Sequence, residues 1–265
     1  MKRRVLWTSI GFALICCGVI GFKRTLDKPV PVTPSDLHNA SVLVVVDGAQ
    51  GSGTVFNRDK RSFVWTAGHV VEGSDFCKVK VVHGKVTYKA RVVRYSSIRG
   101  GRDLALLEVV DGFIDCRPIR FRRTPLTIGT PVTHVGSIFG SQNPRSISTG
   151  DVATPTRKLR MSVTNERLFD QYDITAYPGC SGGGIFVCGE YVGMLTLGRR
   201  GTEAVHFAVP SHAIVRWAVS AGVPWAVDYT SPVPENIIPM YERSETRLGR
   251  CGQQLPCGLK TLEKR

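Results

Sequence analysis

The sequence contains no Cys-x-x-Cys pair and no cysteine–histidine grouping at metal-ligand spacing, which argues against a zinc site. Its eight cysteines are Cys16, Cys17, Cys77, Cys116, Cys180, Cys188, Cys251 and Cys257. The last six permit disulfides without demanding them, and Cys251 and Cys257 are near enough in sequence to pair. Acidic residues are scarce: 21 Asp and Glu stand against 35 Lys and Arg, a net charge of +14. Such an excess favours anionic surfaces, acidic substrates or nucleic acid. The basic residues are scattered, however, through Arg91, Arg94, Arg99 and Arg102, then Arg117, Arg120, Arg122 and Arg123, then Arg157, Lys158 and Arg160. No aromatic-interleaved basic stripe or nucleic-acid motif accompanies them, so nucleic acid is not the expected partner and a solvated basic surface is. With 265 residues and 42% hydrophobic content, the chain can bury a full core in one large domain or two small ones.

Long apolar runs are likewise absent except at the start. Residues 5–22 form an 18-residue stretch without a charge, between the basic residues 2–4 and Lys23-Arg24. As a helix it would be about 27 Å long, enough to cross a bilayer. Residues 1–24 therefore read as an uncleaved signal-anchor, with a cleaved signal peptide as the alternative. The protein's expected location is the membrane, with the bulk of the chain outside the cytoplasm; secretion is the alternative. Residues 25–38 carry Pro29, Pro31 and Pro34 and read as an extended linker.

From residue 41 the pattern becomes short β-branched runs bounded by glycine-rich turns: 41–46, 51–56, 61–66, 77–82, 86–95 and 104–109. A second set covers 131–136, 147–152, 159–163, 172–176, 184–187, 191–197 and 204–209. Strands of this length and spacing predict a barrel or sandwich. A short helix begins at Pro210-Ser211, with Ser211 as its N-cap and Ile214, Val215, Ala218 and Val219 as its apolar face. Residues 224–265 read as a flexible basic tail.

The chemistry concentrates in Gly179-Cys180-Ser181-Gly182-Gly183. A free serine hydroxyl is a poor nucleophile, so it needs a base beside it and backbone donors for the oxyanion that forms. Glycines let the backbone turn sharply enough to bring those donors together. Upstream stand Thr66-Ala67-Gly68-His69 and Gly101-Arg102-Asp103-Leu104-Ala105-Leu106. His69 and Asp103 are 34 positions apart, and Asp103 and Ser181 are 78 apart.

These three segments, in the order His, Asp, Ser, resemble those of the chymotrypsin- and trypsin-like serine proteases. Gly51-Ser52-Gly53-Thr54 is similar to the strand preceding the catalytic histidine in bacterial members. The resemblance spans about residues 40–220. It implies an all-β fold of two antiparallel six-stranded barrels with a C-terminal helix, here preceded by the N-terminal membrane helix. The protease domain would be residues 39–223, with barrel 1 at about 39–122 and barrel 2 at about 123–223. No PDZ domain is expected after it, unlike the HtrA proteases.

By the same resemblance Ser181 is the nucleophile, His69 the general base and Asp103 the residue that orients it, without cofactor or metal. The N–H groups of Gly179 and Ser181 are the oxyanion donors, and the partner is a polypeptide substrate. Cysteine replaces serine in some viral relatives, but only Ser181 sets every glycine in register; Cys180 takes the variable position. The freed hydrophobic N-terminus of zymogen-derived members is missing near residue 41. A membrane segment before the protease and the His–Asp distance are similar to the sobemovirus-type viral proteases. For the substrate pocket, the resemblance puts Thr175 at the floor, the segment 193–198 with Thr196 along one wall, and His206 at the base. Glutamyl endopeptidases carry histidine where Leu195 stands, which argues against acidic specificity; His206 keeps that specificity open, and its expected role is that of an ordinary packed histidine. The competing reading is an inactive protease-fold protein that binds peptides or a partner in the same groove.

Overall fold

The structure is a computed structural model that describes residues 31–98, 100, 102–162, 165–199 and 204–241. The signal-anchor, the Cys251–Cys257 pair and the tail beyond residue 241 lie outside the described residues. No helix among the described residues is long and apolar enough to cross a membrane.

The described residues begin just before α1 (Pro34–Asn39), where the sequence predicted only an extended linker. Thr33 forms a capping box with Asp36, each side chain taking the other's backbone N–H, and Pro34 sits in the first turn. Six strands then close barrel 1: β1 (Ser41–Val46), β2 (Ala49–Arg58), β3 (Arg61–Thr66), β4 (Val79–His83), β5 (Val86–Ser96) and β6 (Leu104–Val109). The order β5-β4-β1-β2-β3-β6 returns to β5 by a β5–β6 pairing, so the sheet has no open edge. A short helix, α2 (Gly68–Val71), leaves the end of β3 and carries His69.

After β7 (Arg120–Phe121), barrel 2 comprises β8 (Pro131–Ile138), β9 (Asn143–Ser162), β10 (Asn165–Ile174), β11 (Gly184–Val187), β12 (Glu190–Gly198) and β13 (His206–Pro210). Its order β11-β8-β9-β10-β13-β12 closes by a β11–β12 pairing. The two predicted six-stranded barrels are therefore present. The boundary differs in one detail: β7, expected within barrel 1, pairs in parallel with β12 of barrel 2. The predicted strand at 159–163 is also the end of one long β9 rather than a separate element.

The C-terminal helix α3 (Ser211–Ser220) is capped by Pro210 rather than Ser211, whose hydroxyl donates instead to the Arg122 carbonyl at 2.8 Å. Its buried face is Ile214, Trp217 and Ala218; Val219, predicted to belong to that face, is exposed. The reason is Trp217, whose ring lies 5.8 Å from that of Trp65 on β3 and pulls the face toward itself. Trp65 also stacks on Phe56, so the strand leading to His69 is held by an aromatic cluster.

Residues 224–241 are not the flexible tail that composition predicted. A 3₁₀ turn at Pro224–Ala226 buries Trp225 against Phe63, and β14 (Met240–Tyr241) pairs with β5. Barrel 1 arginines hold the segment by its backbone carbonyls. Arg58 donates to Trp225, Asp228 (3.0 Å) and Ser231 (2.6 Å), Arg61 to Pro234 (2.9 Å), and Arg94 to Ala221 and Ile238 (both 2.7 Å). Net charge gave no sign of this clasp, because only tertiary structure aims these side chains at carbonyls. Arg58 and Arg94 are buried, and losing their acceptors would strand their charge. Trp225→Ala is therefore expected to lower unfolding free energy by about 3–5 kcal/mol in a denaturant titration, the usual cost of emptying a buried aromatic site.

Candidate active site

Asp103 ends the turn between β5 and β6 and is buried to 1% exposure. A carboxylate without water needs donors, and three are present. The His69 backbone N–H donates to Oδ1 at 2.7 Å, the His69 ring Nδ1 lies 2.8 Å from Oδ2, and the Thr196 hydroxyl donates to Oδ2. Asp103 adopts a left-handed φ of 52°, unusual for a residue with a side chain. Gly68 explains how the two segments come so close. A Cβ there would stand 2.3 Å from the Ser96 carbonyl oxygen, so the Asp103 turn can cross α2 only over a glycine.

His69 is partly exposed, and its pKa lies above the ordinary value of 6.5. Burial is the largest single influence and pulls it down; the hydrogen bond and charge of Asp103, with Glu72 further off, together outweigh it.

Ser181 lies in the loop between β10 and β11. Its hydroxyl donates to the Thr196 carbonyl at 3.3 Å and makes no hydrogen bond to His69 in this structure. The backbone around it is tightly oriented. In a trans peptide the C=O and N–H point opposite ways. The Pro178 carbonyl accepts from Phe139 N–H at 2.7 Å, which turns the Gly179 N–H to the other side of that peptide. The Cys180 carbonyl accepts from Gly183 N–H at 2.9 Å, which does the same for the Ser181 N–H. Neither donor meets a protein acceptor among the described residues. Gly179 has φ +97°, and a Cβ there would stand 2.4 Å from both Gly140 N and the Ser137 carbonyl oxygen.

Ser52, which the sequence marked only as part of a glycine-flanked strand, braces this loop from barrel 1. Its hydroxyl donates to the Gly179 carbonyl and accepts from the Ser137 N–H, both at 2.7 Å. Its backbone N–H donates to the Ser181 carbonyl at 2.7 Å, and its own carbonyl accepts from the Thr66 hydroxyl at 2.7 Å. Gly182 permits the approach, since a Cβ there would lie 2.1 Å from the Ser52 oxygen. A small hydroxyl residue between two strand glycines was the available signal, but its partners lie far away in sequence.

The expected pocket residues are placed less simply. Thr175 is exposed beside the loop. Thr196, predicted to line the pocket wall, is buried with its hydroxyl committed to Asp103, because β12 turns that side chain toward barrel 1. His206 is 5% exposed on β13, opposite Gly198 in the β12 register, and burial lowers its pKa. Behind it His134 is also buried, and burial, reinforced by the charge of His206, pushes its pKa down to about 4. Cys180 is buried and its thiol pKa is raised by burial, so it is held in the unreactive protonated form.

A family model described as the trypsin-like peptidase domain matches residues 51–194, more than half of the chain. The chain belongs to that family. The matched residues of this trypsin-like peptidase domain include His69, Asp103 and Ser181. A serine protease Do-like HtrA of Lactobacillus helveticus is 30% identical over 175 residues, covering 63% of this chain and 41% of the relative. The Do-like protease 1 of Arabidopsis thaliana chloroplasts is 29% identical over 149 residues, 55% of this chain and 33% of the relative. The chain thus spans less than half the length of these curated relatives. Among solved structures, the Rv3671c protease of M. tuberculosis in an inactive form superposes with a TM-score of 0.61 at 20% identity, covering 77% of this chain and 98% of that one. The serine endoprotease of Yersinia pestis gives 0.57 at 23% identity, covering 73% and 68%. At these identities the superpositions speak for the fold of the trypsin-like domain.

Two outcomes are expected from this geometry. In an NMR titration the His69 imidazole should have a midpoint above 6.5, falling below 6.5 in Asp103→Asn. That substitution removes the charge that raises the pKa and leaves the burial that lowers it. Ser52→Ala should cost about 1–3 kcal/mol in chemical denaturation, because it leaves the Ser137 N–H and the Gly179 carbonyl without a partner.

Proposed function

We propose that the protein is a serine endopeptidase acting through His69, Asp103 and Ser181. The observation that carries this reading is the buried Asp103 carboxylate gripping both the ring and the backbone of His69, at 2.8 and 2.7 Å. Asp103 fixes the proton on Nδ1 and leaves Nε2 as the base. Ser181 engages that base by giving up the Thr196 carbonyl, a rotation of one side-chain torsion. Its oxygen then attacks the scissile carbonyl carbon as His69 takes its proton. The oxyanion is met by the free N–H groups of Gly179 and Ser181. His69 returns the proton to the leaving amine, and water repeats the sequence on the acyl-enzyme.

The test is cleavage of a degenerate peptide library. Ser181→Ala and His69→Ala should each lower kcat/KM by about 10³-fold or more, with Cys180→Ala close to wild type. The base must be neutral, so kcat/KM should fall as pH drops through the His69 midpoint, about tenfold per unit below it. A pH profile flat down to 5, or loss of cleavage in Cys180→Ala, would contradict this assignment.

The Ser181 hydrogen bond to the Thr196 carbonyl favours one second reading, peptide binding in the groove without turnover. It predicts peptide capture by the wild type with no product. Substrate choice is open to the same library: His206 is buried and burial lowers its pKa, which supports a packed histidine rather than a partner for an acidic side chain, so His206→Leu should leave the preference before the cut unchanged. For location, residues 1–24 support a membrane-anchored protease domain outside the cytoplasm, which protease protection of intact cells tests.

A further inference from the structure

A cavity of about 330 Å³ opens where the two barrels meet α3, and the triad does not use it. The residues on either side of Asp103, Arg102 and Leu104, form one wall; Arg167 and Phe169 of β10 form another; Val209 and Arg216 complete it. Three arginines from separate parts of the chain thus line one space. Such convergence is repulsive unless carboxylates or a bound anion compensate it.

Among the described residues, none of the three arginines forms an ion pair with a carboxylate. Arg167 Nη2 makes a long bond, 3.4 Å, to the Gly100 carbonyl, and its Nε is buried without a partner among the described residues. The buried carboxylates nearby in sequence are already engaged. Asp103 is held as described, and Asp170 accepts from the Thr156 N–H at 2.7 Å and the Tyr172 hydroxyl at 3.4 Å. An anion from outside is what the cavity lacks.

The charge and size narrow its chemistry. A carboxylate offsets one guanidinium, whereas a phosphate monoester carries about −1.5 to −2 charges and three acceptor oxygens suited to arginine forks. The volume sits at the low end of the roughly 300–1,000 Å³ of small-molecule pockets and exceeds what a bare ion fills. Leu104, Phe169 and Val209 offer the remainder an apolar wall.

We propose that this cavity is a binding site for a small phosphate monoester with an apolar body. The proposal does not depend on catalysis at Ser181.

The test is isothermal titration of the full chain with phenyl phosphate at low ionic strength. Saturable binding of one molecule per chain is expected, weakened at least tenfold by Arg167→Gln and by Arg216→Gln. Arg216 is exposed on α3, so its substitution reads binding without disturbing the core. Ser181→Ala should bind like wild type, which separates this claim from the proteolytic one. Lys89→Gln removes the same charge from β5 seven residues before Ser96, about 23 Å along the strand, and should also bind like wild type. Absence of saturable binding overturns the proposal. So does an equal loss in Lys89→Gln, which would reduce the effect to the general attraction of a basic surface.

Discussion

The structure turns on the buried Asp103 carboxylate. An ion removed from water is tolerated only where hydrogen bonds replace its hydration, and here the donors come from both barrels. His69 supplies two from barrel 1, and Thr196 supplies a third from β12 of barrel 2. One carboxylate therefore ties the end of β3, the β5–β6 turn and β12 into a fixed relation. Gly68 is the steric condition for that meeting, since no side chain fits between α2 and the Ser96 carbonyl. The left-handed backbone of Asp103 is a local strain that these bonds offset.

A second brace complements the first. Ser52 joins β2 to the loop of Ser181 and to Ser137 of β8, again across the barrel boundary. Two carbonyls of the serine loop are thus occupied by fixed partners, Pro178 by Phe139 and Gly179 by Ser52. Peptide planarity then sets where the intervening N–H points. The orientation of a donor is decided by the bond its opposite carbonyl makes, before any ligand arrives. The arginine clasp around residues 221–238 and the Trp65–Trp217 contact stabilise the same end of barrel 1 from outside.

The legible part of the sequence was what local pattern determines. Alternating β-branched runs between glycine turns gave two sets of strands, and both close into barrels. The glycines of Gly68-His69 and Gly179-Cys180-Ser181-Gly182 marked the close approaches that the backbone makes. The illegible part depended on distant partners. The basic composition of residues 241–265 made everything from residue 224 look like a loose tail, although Trp225 and Ile237 bury and Arg58, Arg61 and Arg91 hold backbone carbonyls from Trp225 to Ile237. Thr196 was placed by analogy on a pocket wall, but strand alternation cannot say that its hydroxyl meets a carboxylate 93 positions earlier. Ser52 was similarly invisible, because its partners lie 127 and 85 positions away.

The most direct test of the central claim is where a fluorophosphonate attaches when it reacts with the folded full chain, read by intact mass and peptide mapping. The account predicts a single adduct on Ser181, lost in His69→Ala and retained in Cys180→Ala. Failure of a folded wild type to form an adduct, or an adduct that His69→Ala leaves unchanged, would contradict an activated serine at this site.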